Sequence, residues 1–300
     1  MSGAAREGQT FEGRAALVRY ANLVKLPHTL FALPFAMVGV VLASYVKDVT
    51  PWMILWVAIA FTSARFAAMA FNRIVDRRID ALNPRTSSRE IPAGVIGVKE
   101  AGIAVALASV IFLFASGRLN PLCLVLAPFA LAWVLGYSYT KRFTRWAHVV
   151  LGVGLGIAPV GGYLAVTGAW SDPWWMLPVL AAAVMTWVAG FDVLYALQDV
   201  AFDRKSGLHS IPAALGESGG LAVARAFHAS TVIALAAVGT AVGAGWLYWL
   251  GVAVVAALLL YEHSLVRADD LSKLNAAFFT MNGIISIAFF GFVLAERLIR

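Results

Sequence analysis

The chain has 300 residues, of which 61% are hydrophobic and only 13% charged, with a formal net charge of +7 and a mean hydropathy of +0.81. No soluble domain of this length hides that much apolar surface in its own core, so part of its solvent is lipid. The one cysteine, Cys123, excludes a disulfide within the chain and is expected to be packed or lipid-facing; the scattered His28, His148, His209, His228 and His263 form no zinc-type ligand pattern.

Residues 1–26 are polar, carry Arg6, Arg14, Arg19 and Lys25, and hold no short apolar core with a cleavage site. They are read as a cytoplasmic N-terminal segment without a removable signal, and 27–300 as one transmembrane domain. An apolar helix of about 20 residues spans the hydrocarbon layer. Nine such segments follow: 27–46, 52–71, 98–116, 120–138, 147–168, 175–197, 221–241, 246–263 and 275–295. Runs of this length are not the alternating strands, about ten residues each, of a membrane β-barrel. The expected fold is all-α, a polytopic membrane bundle of about nine helices.

Nine crossings put the termini on opposite sides. The N-terminal segment and the loops after the second, fourth, sixth and eighth helices, with Lys99 at the start of the third, hold 17 of the 23 Lys and Arg. The other side holds Lys47, Arg118, Arg297 and Arg300, while Arg65 and Arg225 fall within helices. The positive-inside rule makes the basic side cytoplasmic. The positive charge is thus a topology signal rather than a nucleic-acid footprint. Trp52, Trp170, Trp174, Trp175, Trp246 and Trp249 fall at the outer helix ends, as an aromatic belt does.

The second segment ends in "FNRIVDRRID" (71–80), where Asn72, Asp76 and Asp80 recur every four residues and share one helical face. The sixth ends in "GFDVLYALQDVAFDRKSGLHSIP" (190–212), with Asp192, Tyr195, Asp199 and Asp203 on one face. Asp76 to Asp199 and Asp80 to Asp203 are each 123 residues apart, which suggests a duplicated four-helix unit. Either stripe alone, interleaved with Arg73, Arg77, Arg78 or Arg204, suits a solvated helix end with ion pairs. Both on one membrane side form an anionic cluster that needs cations, and hard oxygen donors at this density suit Mg²⁺. Arg85 and Arg89 in "NPRTSSREIP", and Lys141, Arg142 and Arg145 in "YSYTKRFTRW" (137–146), add positive charge. Singly each is a topology charge; together with the acids they suit a Mg²⁺-bridged diphosphate carried on a lipid tail.

With these motifs the chain resembles, over nearly its full length, the UbiA superfamily of intramembrane aromatic prenyltransferases. The resemblance rests on N-x-x-x-D-x-x-x-D at Asn72, Asp76 and Asp80, D-x-x-x-D at Asp199 and Asp203, Y-x-x-x-K at Tyr137 and Lys141, and the nine helices. It implies transfer of a polyprenyl group from polyprenyl diphosphate to an aromatic acceptor, with Mg²⁺ as cofactor, membrane lipid around the bundle and no nucleic-acid partner. The location implied is the cell inner membrane, with the site on the cytoplasmic side. Within the superfamily the chain is similar to 4-hydroxybenzoate polyprenyltransferases. "HTLFALPFA" (28–36), "NPRTSSREIPAG" (83–94) and "GLHSIP" (207–212) look closer to a bacterial subgroup with menaquinone-pathway members, so a second aromatic acid stands as alternative acceptor.

Carried over, Asn72, Asp76, Asp80, Asp199 and Asp203 would hold metal; Asp76, Asp199, Lys141 and Asp192 would be catalytic; and Tyr137, Lys141, Arg145, Tyr195, Arg89 and Lys25 would bind substrate. Lys141 would bind diphosphate as a point charge, with Arg142, about 100° around the helix, much less important. The rings of Tyr195, Tyr137 and Phe191 could face an allylic cation, although packing is the simpler reading of Phe191. Asp192, one turn deeper than Tyr195, would take the ring proton or orient the acceptor. Lys25 could meet an acceptor carboxylate or snorkel as an anchor, and Asn282 suits a helix–helix hydrogen bond. A transporter is the rival class, given the glycine-rich "GVGLGIAPVGG" (152–162), but transporter sites gather at the midplane. A nucleotide-alcohol phosphotransferase would need a "DG" pair that the acidic stripes lack.

Overall fold

The computed structural model describes residues 11, 13, 15–266, 270, 271, 274 and 280–300, with the backbone alone at 27–31. Most of the expected N-terminal segment before residue 15, and the start of the ninth segment at 275–279, lie outside the described residues. The described elements are helical: α1 (Ala16–Leu23), α2 (Leu26–Ala43), α3 (Pro51–Leu82), α4 (Val98–Leu119), α5 (Pro121–Gly136), α6 (Ala147–Thr167), α7 (Met176–Ala196), α8 (Val200–Lys205), α9 (Ile211–Ala241), α10 (Trp246–Leu265) and α11 (Asn282–Ile299). Short 3₁₀ turns at Tyr137–Arg142 and Leu197–Asp199 extend α5 and join α7 to α8. Among the described residues eight helices are long and apolar enough to cross a membrane; α2 adds a shorter apolar stretch at Ala32–Ala43.

Local chemistry sets the helix starts. Thr50, Asn120 and Ser210 cap α3, α5 and α9 by accepting from the backbone N–H of Met53, Cys123 and Ala213, and proline follows each cap within two residues. Gly216, at φ +76°, breaks α9 one turn and a half after its start, a backbone state that only glycine adopts without strain.

The helices are not equally central. In the 18-residue apolar window of Met176–Lys205 61% of the residues are buried inside the protein, and in that of Pro121–Arg142 only 11%. Around α7 pack α6 and α9, and α2, α10 and α11 complete that half, with Phe35, Trp187, Tyr248 and Phe289 in its core. On the outside, Ile103, Leu107, Val110, Phe129, Ile233 and Leu260 are all more than half exposed, a surface that only lipid tails match.

Glycines of α6 let backbones meet. A Cβ at Gly152 would collide with the Met185 carbonyl, one at Gly156 would lie 2.6 Å from the Ala181 oxygen, and one at Gly162 would collide with the Ala36 carbonyl. The "GVGLGIAPVGG" stretch is therefore a packing seam for α7 on one side and α2 on the other.

The spacing of the acidic stripes extends to whole elements. Moved along the chain by 123 positions, α2 and α5 begin within two residues of α6 and α10; α3 then covers α7 through α8 and ends at Lys205, and α4 ends within one residue of α9. Two four-helix units, with α11 added, account for the bundle.

Candidate active site

The acidic stripes come together at the basic end of the bundle, and each aspartate is held by a cation. Arg142 Nη2 donates to Asp76 Oδ1 at 2.9 Å, and Asn72 Nδ2 donates to the other oxygen of Asp76 at 2.9 Å. Arg89 Nη1 donates to Asp80 Oδ1 at 2.8 Å. Arg85 grips Asp199 with both arms, Nε to Oδ1 at 3.0 Å and Nη2 to Oδ2 at 2.7 Å, and Asn83 Nδ2 adds a third bond at 3.1 Å. Lys141 Nζ stands 3.8 Å from Asp203 Oδ2.

Three elements deliver these cations. Residues 83–96 fold back over the ends of α3 and α7: Thr86 Oγ1 donates to the Asp80 carbonyl, and the Glu90 carbonyl accepts from the N–H groups of Val95 and Ile96. Arg85 is thereby buried; burial opposes its charge, but the Asp199 carboxylate outweighs it and holds the guanidinium above its ordinary range. The 3₁₀ turn brings Lys141 and Arg142 to opposite stripes, Asp203 and Asp76. The loop before α9 closes the third side, where His209 N–H donates to the Lys141 carbonyl at 2.8 Å.

Two basic residues stand in other surroundings than their spacing suggested. Arg142, expected to matter much less than Lys141, also meets an aspartate, because the tight turn points both into the cluster. Arg145 lies exposed with its guanidinium 5.6 Å above the Trp146 ring, and among the described residues it meets no aspartate. Lys25, expected at a helix start, occupies the α1–α2 junction at φ +48° and is buried, unlike a snorkelling anchor. Tyr195 receives a hydrogen bond from Arg85 Nη1 at 3.1 Å, with the guanidinium 5.1 Å from its ring centre. Phe191 packs edge-on against Trp187, 5.1 Å between centres. Asn282 lies away from the cluster; its Nδ2 donates to Glu262 at 3.3 Å, the helix–helix bond its position suggested.

Asn83, Arg85, Arg142 and His148 are the residues that sequence reasoning under-weighted. His148 Nδ1 lies 2.7 Å from Asp192 Oδ2. Nothing in local spacing announces that pair, since 44 residues separate its members.

Beneath the cluster an apolar cavity of about 630 Å³ runs between α3, α4, α5, α6 and α7, lined among others by Arg65, Met69, Cys123, Tyr137, Gly154 and Trp170. Met69 is one turn before Asn72, so the cavity reaches the acidic end. Along α5 it extends from Tyr137 to Cys123, about 21 Å at the helical rise. Cys123 is thus a half-buried cavity residue.

As to metal, among the described residues no three Asp, Glu, His or Cys side chains form a group that holds one. The donor set nevertheless fits Mg²⁺: Asp80 Oδ2 and Asp203 Oδ2 are buried without a hydrogen-bond partner among the described residues, on opposite stripes, and all the acidic donors are hard oxygens.

The chain is similar to known proteins over most of its length. The family model of the UbiA prenyltransferase family matches residues 32–284. The 4-hydroxybenzoate octaprenyltransferase of Thiobacillus denitrificans is 33% identical over 251 residues, covering 83% of this chain and 84% of that one. That of Methylobacillus flagellatus is 32% identical over 83% of this chain and 82% of its own. Among solved structures, the apo structure of a UbiA homolog from Aeropyrum pernix superposes with a TM-score of 0.82 at 34% identity, covering 90% of this chain and 98% of that one. A UbiA homolog from Archaeoglobus fulgidus, bound to GPP and Mg²⁺, shares the fold with a TM-score of 0.72 at 20% identity, covering 93% and 99%. The transporter reading falls with these matches: this chain belongs to the UbiA prenyltransferase family and is a polytopic membrane prenyltransferase.

Proposed function

We propose that the protein transfers a polyprenyl group from polyprenyl diphosphate to 4-hydroxybenzoate, with Mg²⁺, at the cytoplasmic face of the inner membrane. One observation carries the reading: four aspartates, each paired with a cation, gather at the helix ends toward which an apolar cavity of about 630 Å³ runs, reaching Met69 and Tyr137. A diphosphate head with an isoprenoid tail needs both halves of that arrangement. The names of the relatives support the acceptor, and the Archaeoglobus fulgidus homolog holding GPP and Mg²⁺ supports the donor and metal.

Asp76, Asp80, Asp199 and Asp203, with Asn72, would hold Mg²⁺, which when bound neutralises diphosphate charge. Lys141, Arg142, Arg85 and Arg89 then exchange their aspartate partners for diphosphate oxygens, and so stabilise the charge that grows as the carbon–oxygen bond breaks. Tyr137, at the cavity end, and Tyr195 present ring faces to the allylic cation. The cavity walls keep water from that cation. The phenol ring attacks it, and Asp192 is placed to take the ring proton.

Purified protein with Mg²⁺, a labelled prenyl diphosphate and a panel of phenolic acids tests the reading. Ring-prenylated 4-hydroxybenzoate is the expected product. Prenylation of a different aromatic acid alone would transfer the assignment to the menaquinone-type acceptor, and no prenylated acid at all would overturn it.

A further inference from the structure

Asp192 and His148 stand apart from the four aspartate–cation pairs. His148 is the second residue of α6 and is wholly buried, while the Asp192 side chain, on α7, is 25% exposed. Asp192 makes one hydrogen bond among the described residues, from Oδ2 to His148 Nδ1 at 2.7 Å. The other imidazole nitrogen faces the first backbone N–H of α9: Ile211 N donates to His148 Nε2 at 3.4 Å. An N–H can point only at an unprotonated nitrogen, so Nε2 is the acceptor and the ring's single proton sits on Nδ1, aimed at Asp192.

The helix seam enforces this contact. His148, Gly152 and Gly156 recur every four residues on one face of α6, and Asp192, Met185 and Ala181 share one face of α7. The glycines bring the two backbones into contact at Met185 and Ala181, and the same seam ends in the His148–Asp192 bond.

Resting on the proposed aromatic prenylation, we infer that His148 is a positioning residue, locked in one tautomer by the Ile211 backbone, that holds Asp192 as the base for ring deprotonation. One carboxylate oxygen is occupied by the Nδ1–H, and the other is left for the acceptor. When the prenyl carbon has bonded to the ring, the C–H bond at that ring carbon breaks and its electron pair restores the aromatic system. The proton passes to Asp192 Oδ1, giving a carboxylic acid that returns it to water after product leaves. His148 keeps its own proton throughout. Lys141 and Asp199 are the charged neighbours that act on Asp192 from the 3₁₀ turns.

The test compares Asp192→Asn, His148→Leu and His148→Asn in the full-length, detergent-purified protein, with acceptor carrying deuterium at the substituted ring carbon. Asp192→Asn should lower kcat about 100-fold or more, the size of a lost general base. His148→Leu removes one hydrogen bond to a charged group and should lower kcat about tenfold or more. The KM for prenyl diphosphate should barely move, and the deuterium isotope effect on kcat should exceed that of wild type. His148→Asn, whose Nδ2–H can donate from near the Nδ1 position, should recover most of the rate. Wild-type kcat in His148→Leu, or equal damage in Leu and Asn variants with an unchanged isotope effect, would reduce His148 to packing. Wild-type turnover in Asp192→Asn would overturn the base assignment while leaving the prenylation reading intact; absence of ring-prenylated product from the wild type overturns that reading and this inference together.

Discussion

At the scale of single residues, the strongest bond in the site is the two-armed grip of Arg85 on Asp199. Removing one partner leaves a buried charge alone, which costs about 3–5 kcal/mol, whereas replacing both partners is far milder. Asp199→Asn should therefore lose activity by about 100-fold or more and also lower the unfolding midpoint. Asp199→Asn combined with Arg85→Gln should recover the midpoint without recovering activity. Thermal unfolding in detergent beside a prenyl-transfer assay separates the two effects; recovered turnover in the double variant would remove Asp199 from the chemistry. Lys141 and Arg142 make a second residue-scale case. Arg142 and Asp76 are 33% and 23% exposed, so that pair contributes little stability, whereas Lys141, itself 38% exposed, meets an Asp203 side chain only 2% exposed. Arg142→Ala should leave folding intact, Lys141→Ala should lower the unfolding midpoint by leaving the buried Asp203 without its cation, and both should raise the KM for prenyl diphosphate by about tenfold, a hydrogen bond to charge. Steady-state kinetics at saturating acceptor decide it, and an unaffected Arg142→Ala would restore the simpler single-lysine reading.

At the scale of elements, α6 is a ridge of glycines with a different neighbour on each side. Overpacking such a seam costs about 1–3 kcal/mol. Gly156→Leu should lower the unfolding midpoint and, by pushing α6 off α7, draw His148 away from Asp192. Gly161→Ala is the control, because a Cβ there meets nothing within 4 Å. Equal midpoints for the two variants would mean that the close approach of α6 to α7 carries no stability. The same element logic governs α5, whose Cys123 lines the cavity at the far end from Tyr137. Cys123→Trp places an indole across that end, so turnover should shift toward shorter prenyl diphosphates. A donor-length profile identical to wild type would show that the tail runs elsewhere.

For the whole molecule, two four-helix units meet so that each supplies one acidic stripe, and the duplication explains why both stripes end on one side of the membrane. Each stripe by itself is an ordinary charged helix end; facing each other they become a cation-demanding mouth. The distribution of basic residues makes the cytoplasm the proposed side of that mouth. A cysteine at the exposed Ser206, on a Cys123→Ser background, should resist membrane-impermeant thiol reagents in intact cells and react after permeabilisation. Labelling before permeabilisation would invert the orientation.

The sequence by itself determined the membrane class, the helical architecture and both acidic stripes, because each is written in local composition or in a period near 3.6 residues. Asn72, Asp76 and Asp80 share a face whatever surrounds them. It even carried the 123-residue offset on which α2–α5 superpose along the chain with their later counterparts. Only the tertiary structure decided which cation holds which acid. Arg85 and Asp199 are 114 residues apart, Arg142 and Asp76 are 66 apart, and His148 and Asp192 are 44 apart. Side chains at such separations leave no periodic trace; they meet only because helix packing and the folded-back loop bring them together. The cavity is likewise a property of the gap between several helices, to which Cys123 and Gly154 contribute from different ones.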